Sequence, residues 1–240
     1  MNESISAAPE RIANCSDGLA VSFRDPAGSL FPLDGRIFRI VNAAGAADMD
    51  AFFHSAAARE FIEARRIAGT HRLTVEEAQH LLADQRVRHL YDAISGQMLV
   101  EHERIDFPSF PYEWPPEMLH AAGALTLDVA RALLRDELGL KDATPYNVLF
   151  RGPEPVFIDV LSFERRDAYD PTWLPYAQFV RTFLLPLLAN RHFGIALDQI
   201  LTTRRDGLEP EEVYRWLTPL QRIRPGFLSL VTMPAWLGGK

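Results

Sequence analysis

Alternating apolar and polar residues near the start of the chain predict a small antiparallel sheet. Asp34-Gly35 separates two such runs, and this dipeptide between alternating apolar segments is typical of a tight β-hairpin. Residues 1–17 show no periodicity, so we expect a flexible N-terminal tail there. The predicted strands cover residues 19–24, 30–33 and 36–41, with a turn over 25–29.

Helical spacing of apolar residues follows the predicted sheet. A helix is predicted over 48–66, where Asp48 or Asp50 could cap the first turn. Thr74 to Glu77 has the sequence of a capping box and predicts a short helix that ends near residue 83. Residues 89–102 predict one or two strands with a turn at Ser95-Gly96.

Proline marks the middle of the chain. Prolines at 108, 111, 115 and 116 exclude a regular helix over 103–116. The clearest helical pattern then covers 116–138, and Gly139 is expected to end this helix as its C-cap. Further helices are predicted over 173–192 with a kink at Pro186, over 195–205 and over 210–217.

The stretch Leu140–Glu164 combines strand patterns with three polar residues. Two apolar runs, 148–150 and 156–158, flank a turn and predict a hairpin. Asn147 precedes one strand and Asp159 follows the other, so pairing brings both to the same end, while Asp142 lies in the loop leading in. Taken singly, each residue is more often a turn former or cap. Together they predict two oxygen ligands for a hard cation and a nearby carboxylate, a set that suits phosphoryl transfer.

The motif D-x-x-x-x-N followed by a strand-flanked Asp resembles the catalytic loop and metal-binding Asp of the protein-kinase-like fold. The similarity is strongest to its aminoglycoside and small-molecule phosphotransferase branch. Longer segments of the sequence resemble the N-terminal kinase-like region of bacterial class I SAM-dependent methyltransferase or nodulation-protein-like proteins. These segments are LKDATPYNVLF, PVFIDVLSFE, FRDPAGSLF, GRIFRIVN and FPSFPYEW. This resemblance extends from about Ser22 to Arg205.

The resemblance implies an α+β fold with two lobes. A small β-rich N-lobe is expected to lead into a mostly helical C-lobe that carries a β-hairpin at the active site. The expected limits are a tail over 1–17, the small lobe over 18–106, an inter-lobe connection over 107–116 and the helical lobe over 117–240.

The resemblance also implies ATP and Mg²⁺ as cofactors and assigns roles to particular residues. Asp142 would orient the acceptor hydroxyl and accept its proton, and Asn147 and Asp159 would hold Mg²⁺. Arg39 falls where the fold places a phosphate-binding lysine on its third strand, with helix residues Glu60 and Glu63 as candidates to pair with it. The alternatives are that Arg39 faces solvent on an amphipathic strand and that the glutamates belong to a hydrated helix face.

Composition narrows the class of protein. The hydrophobic content of 48% and charged content of 24% are those of a globular chain. A formal charge of −7 disfavours nucleic-acid and anionic-membrane partners. The single cysteine cannot form an internal disulfide, and no N-terminal apolar run predicts a secretory signal, so a cytoplasmic setting is expected. Only two lysines occur, Lys141 and Lys240, so a phosphate-binding role in the small lobe would fall to an arginine.

Three functional hypotheses follow. The first is a kinase-like phosphotransferase that moves the ATP γ-phosphate to the hydroxyl of a small-molecule substrate. The second is a non-catalytic kinase-like accessory module associated with a SAM-dependent methyltransferase. The methyltransferase itself is not expected in this chain, because no glycine-rich turn links a strand to a helix and the one Gly-Gly pair is Gly238-Gly239. The third is a binding or scaffold protein in which the three polar residues hold a turn.

Overall fold

The computed structural model describes residues 26–167 and 169–238. The prediction of an α+β, two-lobed, protein-kinase-like fold is confirmed: a four-stranded antiparallel sheet with its helices precedes a mostly helical lobe that carries two small two-stranded sheets. The predicted tail over 1–17 and the predicted strand over 19–24 lie outside the described residues. The lobe limits at residues 106 and 117 stay predictions.

The strands are β1 (Gly28–Leu33), β2 (Arg36–Asn42), β3 (Thr70–Arg72), β4 (Gly96–His102), β5 (Leu138–Leu140), β6 (Val148–Arg151), β7 (Glu154–Phe157) and β8 (Phe163–Arg165). The α-helices are α1 (Ala43–His54), α2 (Ala56–Glu63), α3 (Val75–Leu81), α4 (Gln85–Ala93), α5 (Pro116–Leu133), α6 (Tyr176–Phe179), α7 (Leu185–Phe193), α8 (Leu197–Thr203), α9 (Pro210–Trp216), α10 (Pro219–Arg222), α11 (Pro225–Phe227) and α12 (Met233–Gly238). Single 3₁₀ turns cover Pro111–Glu113, Leu134–Asp136, Pro145–Asn147 and Val160–Ser162, and π-helical turns cover Val180–Leu184 and Leu228–Thr232.

The small-lobe sheet has the strand order β1-β2-β4-β3, and all of its pairs are antiparallel. Asp34 and Gly35 connect β1 to β2 with φ of 49° and 77°, so the predicted two-residue hairpin is confirmed. Alternation along β2 sends Phe38 and Ile40 into a small core beneath α3 and α4. The intervening positions, Arg39 and Val41, face the other side of the sheet, where Val41 joins the main core.

The single helix predicted over 48–66 is wrong, because the chain breaks at Ser55. Ser55 leaves the helical region with ψ of 125°, and its hydroxyl accepts the Ala58 N–H, which makes it the N-cap of α2. Helix α1 begins earlier than predicted, at Ala43, and is capped by Asn42 instead of an aspartate. Of the one or two strands predicted over 89–102, one is present, β4, which follows the turn at Ser95; residues 85–93 before that turn form helix α4.

Helix α5 ends before the predicted limit of 138. Its last turn tightens into the 3₁₀ turn Leu134–Asp136, and Glu137 then reverses the chain with φ of 55°. Gly139 therefore lies in β5, paired with Glu164 of β8, and is not a helix C-cap. The capping box at Thr74 and the start of α9 at Pro210 are confirmed.

A stack of aromatic rings joins helix α1 to the strands of the second lobe. Phe163 lies parallel to Phe52 with ring centroids 5.2 Å apart, and Phe157 stacks on Phe163 at 5.7 Å. All three side chains are almost fully buried. Because this stack lies in the main core, the positions of α1, β7 and β8 depend on one another.

Candidate active site

The β6–β7 hairpin determines where Asn147 and Asp159 lie. Val148 pairs with Phe157 at the open end of the hairpin, and the Ile158 N–H donates to the Asn147 carbonyl oxygen at 2.9 Å. The two residues that flank the paired strands therefore lie side by side, as the alternating pattern indicates.

Asp142 is held against Asn147 by the loop that connects β5 to β6. The Asn147 side-chain amide donates to Oδ1 of Asp142. The next residue, Ala143, donates its N–H to Gln178 Oε1 of α6 at 2.7 Å. Asn147 is only 8% exposed. The Asp142 carboxylate is therefore oriented by an amide and by a loop that is attached to the helical lobe.

Arg39 reaches this group from the small lobe. Its guanidinium Nη2 lies 3.7 Å from Oδ1 of Asp159, and the Arg39 side chain is 9% exposed. The alternative in which Arg39 faces solvent is therefore not what the structure shows. The sheet places a fixed positive charge beside the carboxylate at the end of β7.

All four residues line one cleft of about 1060 Å³ between the two lobes. One part of its wall is charged or polar and includes Arg39, Lys141, Asp142, Asn147 and Asp159. Another part is apolar and includes Leu30, Ile37, Ala68, Ile105, Leu149 and Ile158. Polar groups beside apolar walls in a cavity of this size are typical of a site for a small organic ligand.

Glu60 and Glu63 are not part of this cleft. The Glu60 carboxylate accepts from Arg135 Nη2 at 3.1 Å on the protein surface, and Glu63 is exposed. The predicted pairing of either glutamate with Arg39 is therefore corrected: the carboxylate beside Arg39 is that of Asp159. The break at Ser55 starts a new helix, α2, which carries both glutamates.

Lys141 is a cleft residue to which the sequence assigns no role. Its Nζ donates to Asp48 Oδ2 of α1 at 2.6 Å and to the Leu161 carbonyl oxygen at 3.1 Å. Asp48, which the sequence suggests as a helix cap, thus ties α1 to the residue before Asp142. The rarity of lysine in this chain is the one signal in the sequence that could have drawn attention to it.

His102, the last residue of β4, is a second cleft residue without a signal in the sequence. It is 7% exposed, and its Nδ1 lies 2.9 Å from the Thr70 hydroxyl. Burial, together with the nearby positive charge of Arg39 and the neighbouring His71, lowers the pKa of His102 to about 3. The ring is therefore neutral at physiological pH.

The donor set fits a hard cation with few protein ligands. Donation of the Asn147 amide N–H to Asp142 orients the amide so that Oδ1 is its acceptor; Oδ1 lies 3.5 Å from the Thr144 hydroxyl, and Asn147 and Asp159 line the same cleft. Within residues 26–167 and 169–238, no cluster of three or more His, Cys, Asp or Glu could form a complete protein cage for a metal. Mg²⁺ commonly takes one or two protein oxygens and completes its octahedron with phosphate oxygens and water.

In the part of the chain that the structure describes, none of the helices is both long and apolar enough to cross a membrane.

Comparison with known proteins gives one significant relative in sequence. No family model matches the chain. Nodulation protein NoeA of Rhizobium meliloti (strain 1021) is 34% identical over 180 residues, which cover 74% of this chain and 34% of that protein. The chain therefore spans about one third of the length of this relative.

Among solved structures, similarity is found to protein kinase domains. The kinase domain of PknI from Mycobacterium tuberculosis matches with a TM-score of 0.33 and 15% identity, over 61% of this chain and 59% of that one. The PAN3 pseudokinase of Drosophila melanogaster matches with a TM-score of 0.32 and 11% identity, over 85% of this chain and 59% of that one.

Proposed function

We propose that this chain is a phosphotransferase that moves the γ-phosphate of ATP to a hydroxyl group of a small molecule, with Mg²⁺ as the cofactor. The observation that carries the proposal is the convergence of Asp142, Asn147, Asp159 and Arg39 on one cleft, from three separate segments of the chain: β2, the β5–β6 loop and the end of β7. Phosphoryl transfer needs few protein groups, because positioning and electrostatic stabilisation account for most of the catalysis.

Each of these residues has a distinct task in this proposal. The Asp142 carboxylate orients the acceptor hydroxyl and takes its proton, and the Asn147 amide holds that carboxylate in place. Arg39 binds phosphate oxygens with its guanidinium, whose planar set of N–H donors can pair with two oxygens at once. Asn147 and Asp159 would hold Mg²⁺, which would neutralise negative charge on the phosphates.

The shape of the cleft supports a nucleotide as one ligand. Its apolar part lies between the sheet residues Leu30 and Ile37 and the hairpin residues Leu149 and Ile158, which suits a planar base. Its polar part suits the phosphates. The acceptor is proposed to be a small molecule and not a nucleic acid, since the net charge of −7 opposes binding of a polyanion.

Calorimetric titration of Mg-ATP into the purified protein tests the proposal. We expect binding that requires Mg²⁺ and that is lost in Asp159→Asn. Asp128→Asn is the matched control, because Asp128 is an exposed aspartate paired with Arg66 and lies outside the cleft. A folded wild-type protein that does not bind Mg-ATP would refute the proposal.

A second candidate is a kinase-like accessory module that works with a SAM-dependent methyltransferase. The observation that favours it is the internal engagement of the metal-binding groups: Asp159 contacts Arg39, and Asn147 contacts Asp142. This candidate predicts that the folded protein binds no Mg-ATP. If the protein does bind Mg-ATP, this candidate predicts equal affinity in the wild type and in Asp142→Asn, and no hydrolysis of ATP by either protein.

A further inference from the structure

Arg205 and Tyr146 belong to the helical lobe, and both line the cleft. Tyr146 lies in the 3₁₀ turn Pro145–Asn147, next to the asparagine that holds Asp142. Arg205 lies in the loop between α8 and α9. Its guanidinium carbon is 4.8 Å from the centroid of the Tyr146 ring, which is a cation–π contact. The α8–α9 loop therefore meets the Asp142 loop at the cleft.

One helical segment fixes the positions of these two loops. Gln178 of α6 accepts a backbone N–H of the Asp142 loop at 2.7 Å. Three residues further along the helix, the Arg181 carbonyl oxygen accepts from the Leu208 N–H of the α8–α9 loop at 3.0 Å. Gly207, with φ of +79°, allows the backbone to approach this carbonyl oxygen closely. The place of each loop relative to the other is therefore determined by backbone contacts with the same helix.

The guanidinium of Arg205 has unused hydrogen-bond donors. Four cationic side chains line the cleft in the described part of the chain, and three of them have a carboxylate within 4 Å: Arg39 has Asp159, Arg104 has Asp106 and Lys141 has Asp48. Within residues 26–167 and 169–238, Arg205 has neither an ion pair nor a hydrogen bond. Its contact with Tyr146 occupies the face of the guanidinium and leaves the N–H groups on the edge, where they suit two oxygens of one anion.

We propose that Arg205, supported by the Tyr146 ring, binds an anionic group of the acceptor, a carboxylate or a phosphate, while Asp142 orients the acceptor hydroxyl. The inference rests on the proposed function and names the class of its substrate, a small hydroxylated molecule that carries a negative charge. The ring holds the long arginine side chain in place, so binding of the anion costs less conformational entropy.

Asp206 presents the competing possibility. Its carboxylate also lines the cleft and would favour an acceptor with a positive charge. Arg205 is the stronger candidate because the ring contact fixes its guanidinium, whereas no hydrogen bond or ion pair orients the Asp206 carboxylate in the described part of the chain. The sign of the charge that the cleft prefers therefore decides between the two residues.

A matched series of small ligands tests this sign. Glycerol 3-phosphate and glycerate carry an anion, glycerol has no charge, and 3-amino-1,2-propanediol carries a cation. NMR titration of isotopically labelled wild-type protein, with and without Mg-ADP, follows the backbone amide signals of Tyr146 and Arg205. We expect the anions to bind at least about tenfold more tightly than glycerol, in keeping with one charge-assisted contact. The tighter of the two anions shows whether phosphate or carboxylate fits better.

Two variants identify the residue responsible. Arg205→Gln should lower the affinity for both anions to that for glycerol. Arg205→Lys should keep part of the affinity, because the charge remains and the planar set of donors is lost. Arg205 is exposed, so neither substitution disturbs the core. Arg204→Gln is the matched control, since Arg204 pairs with Glu212 and does not line the cleft.

The outcomes separate this inference from the proposed function. The inference is wrong if neither anion binds the wild type more tightly than glycerol, if the cation binds most tightly, or if Arg205→Gln and Arg204→Gln have equal effects. It is also wrong if Arg205→Gln weakens binding of Mg-ATP as much as binding of the anions, since Arg205 would then serve the triphosphate. In each of these cases the nucleotide site stands. If the folded wild type binds no Mg-ATP, the proposed function itself fails, and the titrations without nucleotide then decide whether Arg205 binds an anion.

Discussion

The neutral state of buried His102 makes a quantitative prediction for the stability of the fold. The pKa of His102 is lowered by burial from 6.5 to about 3, so below pH 6.5 the unfolded chain binds a proton that the folded protein does not. The contribution of His102 to stability is therefore fully present above pH 6.5 and is lost progressively as the pH falls toward 3. Arg39 and the neighbouring His71 both oppose protonation of the ring.

The size of the effect follows from linkage. Each pH unit below the unfolded pKa removes up to about 1.4 kcal/mol from the free energy of unfolding. Between pH 7 and pH 5 the loss due to His102 should reach about 2 kcal/mol. This window avoids most of the titration of unfolded carboxylates, which lies near pH 4.

Urea denaturation at pH 7, 6 and 5 measures this effect in the wild type and in His102→Phe. Other titrating groups contribute equally to both proteins, so the difference between their free energies of unfolding isolates His102. That difference should shift by about 2 kcal/mol in favour of the variant between pH 7 and pH 5. Parallel pH profiles would show that the ring is hydrated or already paired with a charge, and would refute the reasoning.

Further predictions concern the packing that supports the cleft, and urea denaturation measures each of them. Gly207→Ala should lower the free energy of unfolding by more than about 1 kcal/mol, because Gly207 has φ of +79° and an added Cβ would lie 2.0 Å from the Arg181 carbonyl oxygen. Gly226→Ala, where nothing lies within 4 Å of the added Cβ, is its control, and equal effects at the two sites would contradict the steric argument. Phe163→Ala should cost about 3–5 kcal/mol through loss of the ring stack with Phe52, and a cost below 1 kcal/mol would show that the stack is loosely packed. Ser55→Ala should cost about 1–2 kcal/mol, since the hydroxyl caps α2 and also donates to Asp136, and an unchanged stability would argue against this cap.

Local sequence accounts for the features of the site that were predicted. The hairpin around Gly152 and the positions of Asn147 and Asp159 follow from strand alternation and turn residues within about twenty positions of one another. The role of Asp48 could not be predicted in this way, because Lys141 is 93 residues away in the sequence. The state of His102 likewise depends on Thr70, a partner from a different strand.

The errors in the sequence analysis also have a physical cause. A run of alanines and phenylalanines on both sides of Ser55 carries helical periodicity through the break, and one partner that holds the break, Asp136, comes from 81 residues further along the chain. The assignment of Glu60 and Glu63 to the phosphate-binding region depended on one continuous helix. Because the helix breaks at Ser55, both glutamates lie on the protein surface, and the carboxylate beside Arg39 is that of Asp159.

The balance of charge in the cleft bears on how a nucleotide could bind. Its wall holds equal numbers of cationic and anionic side chains. The cationic residues are Arg39, Arg104, Lys141 and Arg205, and the anionic residues are Glu103, Asp142, Asp159 and Asp206. A neutral wall of this kind offers a triphosphate little net attraction. Lys141 is further neutralised by Asp48 outside the wall. Binding of a nucleotide at this site should therefore depend on Mg²⁺ more strongly than in a cleft with excess positive charge. The metal ion would supply the net positive charge that the side chains of this wall lack.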